Sequence, residues 1–194
     1  MQKTKRKKTY PPEPLTPHEV KALLAACSSQ SPTGLRNRAL VVILWRAGLR
    51  SAEARALEPR DLDNGVVRVR CGKGSKSRVV AVDPEAWTVL QTWMECKVRL
   101  GIGGPLFSTL TGKPLLASYC RNLFKRLGKR AGLGKRIHQH GLRHSFAAGL
   151  ADEKVDIRII SKALGHSNLS TTQTYVDHLR PTAVIDVLKA RSWG

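Results

Sequence analysis

The sequence predicts an α+β fold that is mainly α: a helical bundle carrying a small antiparallel β-sheet or hairpin. Three observations predict it. Thr16-Pro17-His18-Glu19 is a capping box with proline at the first helical position. Ala39-Leu40-Val41-Val42-Ile43-Leu44-Trp45 is apolar nearly all round, the mark of a helix in the middle of a bundle. Val66 to Arg70 and Val79 to Val82 are short, partly alternating runs on either side of a Gly- and Lys-containing loop.

In chain order, residues 1–14 read as a basic flexible arm: five of the first eight residues are Lys or Arg, and Pro11, Pro12 and Pro14 cannot continue a helix. One folded domain is expected over 15–180 and a C-terminal helix or tail over 181–194. The first helix runs from its cap to about Cys27. A second covers Leu35 to Ala47 and is ended by Gly48. Ser51 suits an N-cap for a short helix over Ala52 to Leu57, which puts Arg50 on the bend between two helices. Asp63-Asn64-Gly65 is a turn signal, and the β-rich runs form a hairpin. Its loop, Gly72-Lys73-Gly74-Ser75-Lys76-Ser77, is no nucleotide-binding P-loop, because the glycine-to-lysine spacing fails and a strand follows where a helix is needed. Pro84 to about Arg99 is helical, with Trp87, Leu90, Met94 and Val98 on one stripe, and Leu106 with Phe107 suits a short third strand. Further helices are expected over Leu116 to Ala131, His138 to Ala151, Asp156 to Leu164, Ser170 to about Asp177 and Thr182 to Ala190.

Charge narrows the class of partner. Against 14 Asp and Glu stand 34 Lys and Arg, a formal +20 on 194 residues, and such an excess repels itself unless a polyanion is the usual partner. Nucleic acid leads, with a membrane surface behind it. No run of about 18 apolar residues exists and the first residues lack an apolar signal core, so a cytoplasmic chain, nucleoid-associated when bound to DNA, is expected. Cys27, Cys71, Cys96 and Cys120 contain no C-x-x-C pair, which argues for reduced thiols rather than zinc or disulfides. His140 and His144 have the i, i+4 spacing of metal ligands but no Cys or acidic residue beside them, so no metal is expected.

Five scattered residues carry chemistry suited to a phosphodiester: Arg50 in GLRSAE, His140 and Arg143 in HQHGLRH, His166 in LGHS and Tyr175 in STTQTY. Two arginines and two histidines can grip a phosphate, and a tyrosine hydroxyl can attack it. Taken singly each has a plainer reading. H-x-x-R is commonly a basic helix face, a histidine past a helix end is commonly solvated, and a tyrosine on a short helix is commonly core. Ile160 and Leu164 read as the buried face of the helix that Gly165 stops, leaving His166 as the first polar group beyond it.

The ordered set GLRSAE, GKG on a hairpin, HGLRH, LGHS and a tyrosine nine residues after that histidine resembles the tyrosine recombinases: phage integrases, Xer-type recombinases and fimbrial inversion enzymes. The resemblance runs from about Thr16 to the C-terminus. It implies a recombinase catalytic domain over 15–180, in which Arg50 and Arg143 clamp the scissile phosphate, His140 and His166 add hydrogen bonds, and His140 can also take the tyrosine proton. Tyr175 is the implied nucleophile and Lys73 the implied acid for the departing 5′ oxygen, with Lys76 as its competitor. Glu53, at the family's acidic position, is expected to orient cations rather than do chemistry. Lys76, Arg78 and the arm residues Lys3, Lys5, Arg6, Lys7 and Lys8 are the expected DNA contacts.

What the resemblance implies is transesterification through a 3′-phosphotyrosyl link, with neither metal nor nucleotide cofactor. It also implies double-stranded DNA as substrate and a homo-oligomer, a tetramer on synapsed DNA, with accessory DNA-binding proteins as possible partners. The segment Thr182 to Trp193 resembles the C-terminal helix that the family docks on a neighbouring subunit; packing on its own subunit is the alternative. In one respect the chain departs from the family, since most members carry a helical DNA-clamping domain before the catalytic one and only the arm precedes Thr16 here. Two other functions stay open at this stage: a type IB topoisomerase-like nicking-closing enzyme, and a catalytically silent DNA-binding regulator.

Overall fold

The computed structural model describes residues 14–70, 77–166 and Lys189. Residues 1–13 of the arm, the hairpin loop with Lys73 and Lys76, the expected helix over Ser170 to Asp177 with Tyr175, and all but Lys189 of that over Thr182 to Ala190 lie outside the described residues. Within them the chain forms seven helices and one three-stranded antiparallel sheet of order β1-β2-β3.

Helix α1 (Pro17–Ala25) starts at the expected capping box: Thr16 Oγ1 accepts from the Glu19 N–H and Glu19 reaches back to the Thr16 N–H. Helix α2 (Pro32–Arg46) begins three residues before its expected start, because Ser31 caps it and Pro32 occupies the first turn, a second cap-plus-proline signal. Ala39 to Leu44 are all buried, and α2 packs against α1, α3, α4 and α6. It is the axis of the bundle.

After the bend come α3 (Ser51–Ala56), a single 3₁₀ turn over Pro59–Asp61, and strands β1 (Leu62–Asp63), β2 (Val66–Val69) and β3 (Arg78–Ala81). Asn64 and Gly65 turn β1 into β2 with φ of 44° and 81°, the pair of positive values a tight two-residue hairpin needs. Val67 and Val69 face the core while Val66 and Arg68 face out.

The third strand is therefore β1, not Leu106-Phe107. The backbone of Leu106 is occupied elsewhere: its N–H donates to the Leu57 carbonyl (2.7 Å) and its carbonyl accepts from the Trp93 indole (2.8 Å). Those bonds anchor a loop on the core and leave no ladder to join.

Helix α4 (Pro84–Arg99), capped by Asp83, has its expected bounds; its buried face is Ala86, Leu90, Trp93 and Cys96, with Trp87 and Met94 of the expected stripe packed partly buried against the core and Val98 80% exposed. Helices α5 (Ala117–Arg130), α6 (Gln139–Asp152) and α7 (Ile157–Leu164) complete the described fold. Ile160 and Leu164 of α7 are buried with Ala147 of α6, as the apolar spacing required. Gly165 ends α7 in the left-handed conformation, φ 65° and ψ 43°.

Candidate active site

The site grows from two chain reversals brought together by α6. At the first, Gly48 leaves α2 with φ 60°, and a Cβ at that position would come within 2.2 Å of Phe146 Cδ1. This lets Phe146 of α6 lie against the bend. Arg50 follows as the N-cap of α3, its backbone extended and its own N–H donating to Glu53 Oε2 (2.7 Å). At the second reversal, Gly165 turns the chain at the end of α7 and delivers His166.

The last carbonyls of a helix have no partner within it, and the end carries partial negative charge. At α7 every one of them is accounted for. Ser161 accepts from the N–H groups of Gly165 and His166, and Lys162 from that of Gly165. The next three each receive an arginine: Arg78 Nε donates to the Ala163 carbonyl (2.8 Å), Arg143 Nη2 to that of Leu164 (2.6 Å) and Arg50 Nη2 to that of Gly165 (3.2 Å). Arg143, only 2% exposed, also donates from Nη1 to the Gly48 carbonyl (2.6 Å), so one guanidinium joins both reversals. Arg50, Arg143 and His166, which lie far apart in sequence, meet at this point.

Arg143 Nη2 lies 3.1 Å from His166 Nε2. A guanidinium only donates, so Nε2 accepts and the neutral ring carries its proton on Nδ1. Burial first, and then Arg143, Arg50, Arg78 and His140, bring the His166 pKa down to about 4. His140 sits on the exposed side of α6 with its ring edge-on to that of His144, centroids 4.3 Å apart. Partial burial, followed by Arg143, His138 and Arg50, lowers its pKa as well. Both rings are thus neutral near pH 7, the form in which an imidazole can take a proton.

Glu53 holds the cations. Its Oε1 accepts from Arg50 Nη1 (2.8 Å) and Arg78 Nη1 (2.9 Å), and its Oε2 from the Arg50 N–H and from Arg78 Nη2 (2.9 Å). Burial alone would raise its pKa, but Arg78 and Arg50 outweigh that and bring it to about 2. Arg78, grouped by the sequence with residues facing DNA, is turned inward on this carboxylate, with a side chain 8% exposed. Sequence reasoning missed that ion pair, since it joins β3 to α3 and no local spacing reports it. It also missed the outer face of α5, where Arg121, Lys125, Arg126, Lys129 and Arg130 are exposed. The amphipathic period of that helix carried the signal.

Among the described residues no group of three or more His, Cys, Asp or Glu is placed to hold a metal ion, and no helix is long and apolar enough to cross a membrane.

Comparison with known proteins bears on this geometry. A family model described as the phage integrase family matches residues 13–180. The tyrosine recombinase XerA of Thermococcus kodakarensis is 41% identical over 178 residues, covering 87% of this chain and 61% of the relative. XerC of Xylella fastidiosa (strain M23) is 39% identical over 149 residues, covering 76% and 50%. The chain thus spans about half to three fifths of these relatives. Among solved structures, a crystal structure of XerA recombinase superposes with a TM-score of 0.80 at 30% identity over 95% of this chain and 68% of that one. A pre-cleavage complex of XerH recombinase with its difH substrate gives 0.72 at 29% identity over 92% and 54%. The mainly helical fold with its small antiparallel sheet is that of a tyrosine recombinase catalytic domain.

Proposed function

The chain belongs to the phage integrase family, and from that membership we propose that it cleaves and rejoins double-stranded DNA at a specific site by transesterification through Tyr175. The observation that carries this reading is the meeting of Arg50, Arg143 and His166 at the end of α7, nine residues before Tyr175.

Attack on a phosphodiester gathers negative charge on the non-bridging oxygens, and a preorganised pair of guanidinium groups stabilises that charge more than it stabilises the ground state. Arg50 and Arg143 fill that role, with His166 donating to the same phosphate. His140, neutral at pH 7, accepts the phenol proton; a tyrosine of ordinary pKa, about 10, needs such help. The Tyr175 oxygen bonds to phosphorus as the P–O5′ bond breaks. Lys73 supplies the proton to the departing 5′ oxygen, with Lys76 next in line. A 5′ hydroxyl of the partner strand reverses the step, so the phosphate ester bond is conserved and no cofactor is consumed. The arm and the basic face of α5 track the DNA backbone, and four subunits on two duplexes exchange the strands.

A nicked suicide substrate tests the reading: a 3′ covalent adduct should form with the wild-type chain and vanish in Tyr175→Phe. Absence of adduct on every substrate tried would overturn it. Adduct with relaxation of supercoils but no junction intermediate would replace recombination with a nicking-closing activity.

A further inference from the structure

Arg78 sits at the start of β3, next to the loop that carries Lys73, yet its guanidinium is committed to the interior. Nη1 and Nη2 form a fork on the two oxygens of Glu53, both at 2.9 Å, and Nε donates to the Ala163 carbonyl. A Cβ on Gly165 would come within 2.9 Å of Arg78 Nη1, so the guanidinium lies directly under the turn that presents His166. Its neighbour at the same carboxylate is different in one respect. Arg50 shares Glu53 through a single Nη1 bond, and its side chain stays 41% exposed.

We propose that Arg78 is a positioning residue: by holding and neutralising Glu53 it keeps the Arg50 guanidinium available to a phosphate instead of locked in a closed pair with that carboxylate. This rests on the reading of Arg50 as a phosphate clamp. Two guanidinium groups and one carboxylate leave one positive charge over. Without Arg78 the trio falls to zero, and the mostly buried Glu53 has one cation left to satisfy both oxygens. A fork on both oxygens is the strongest pairing a carboxylate can make with arginine. Losing one partner of a buried pair leaves a charge that pulls hard on any cation in reach. Arg50, whose backbone N–H is already on Glu53, is that cation.

The test is a cycle of Arg78→Met, Glu53→Gln and the double variant, read in two ways. In single-turnover adduct formation at saturating DNA, Arg78→Met should be slower by about 100-fold, within the range for losing one charge-stabilising group. The double variant, which removes the uncompensated carboxylate, should recover at least about tenfold of that. Arg78→Lys, keeping the charge but not the fork, should fall between. The second reading needs no strand cleavage: the Arg50 side-chain N–H resonances should shift on titration with inorganic phosphate in the wild type, stay unmoved in Arg78→Met and shift again in the double variant. An Arg78→Met chain whose Arg50 responds to phosphate like the wild type overturns the proposal, whichever way the adduct assay falls. So does a double variant no faster and no more responsive than Arg78→Met. A purely structural role would lower Tm while leaving the phosphate response of the folded protein intact. Failure of the wild type to form adduct, with the phosphate pattern as expected, would count against the recombinase reading alone.

Discussion

Gly48 meets two demands that no side chain can meet together. Its φ is 60°, and the space a Cβ would fill belongs to Phe146. Its carbonyl is also one of the two that hold Arg143. Gly48→Ala should therefore cost about 3 kcal/mol in chemical denaturation, combining the left-handed penalty with overpacking of the Phe146 ring. A loss under about 0.5 kcal/mol, the level of an ordinary surface substitution, would show that the bend relaxes freely. The glycine was legible in the sequence as a helix stop. Its contact with α6 was not, because nothing local says which aromatic ring closes over the bend. His166 has the same character: its position past a helix end followed from LGHS, but the tautomer follows only from Arg143 donating to Nε2.

Helices were read best where a cap announced them. Thr16 and Gly165 set real boundaries, and the same cap-plus-proline signal stands at Ser31-Pro32 for α2 and at Asp83-Pro84 for α4. Strand β1 escaped because two residues carry no period, and the expected α4 stripe fails only at Val98, because Trp93, whose indole finds the Leu106 carbonyl, outranks it for the interior. Of the candidate site, Arg50, Arg143 and His166 were legible as an ordered set of motifs; the Arg78–Glu53 pair was not, being a contact between two elements. Helix α6 supports a prediction of its own. Its cap is His138, whose Nδ1 accepts from the Gly141 N–H (3.1 Å), a bond only the unprotonated nitrogen can make. Burial, with Arg136 behind it, lowers the His138 pKa, as the His140 and His166 values are lowered. A folded-state pKa below the unfolded 6.5 means stability present above pH 6.5 and lost as pH falls toward the folded value, which for His166 is about 4. Glu53 acts in the same direction lower down, its contribution being lost from about pH 4.5 toward 2. Denaturation between pH 8 and 3 should show stability declining from below pH 7. His138→Asn, which keeps a capping acceptor but cannot titrate, should remove part of that slope. A flat profile down to pH 4 would contradict the neutral-histidine site.

At the scale of the whole molecule, the formal +20 is not uniform in what it can do for binding. Arg36 and Lys97 are buried and Arg78 is tied to Glu53, so these charges support the fold and the site without presenting a cation to a backbone phosphate, and in the proposed reaction the buried Arg143 is kept for the scissile phosphate alone. The cations left for DNA are those of the arm, Lys3, Lys5, Arg6, Lys7 and Lys8, and those on exposed faces such as α5. Each phosphate neutralised adds roughly 0.9 to the slope of log affinity against log salt, so six or more contacts should weaken binding by about 1,000-fold between about 50 and 200 mM salt. Replacing the five arm cations by glutamine should lower that slope by as much as about 4.5 and weaken binding to any duplex alike, since phosphate contacts carry no sequence information. Arg78→Met should lower the slope by no more than about 0.9, the single phosphate contact of Arg50, because the Arg78 guanidinium itself releases no counterion from DNA. Fluorescence anisotropy across a salt series separates the two classes. An arm variant with the wild-type slope would assign DNA tracking to the folded face alone, and a slope still reduced by about 1 in the Arg78→Met, Glu53→Gln double variant, where Arg50 is free again, would return Arg78 to the DNA surface.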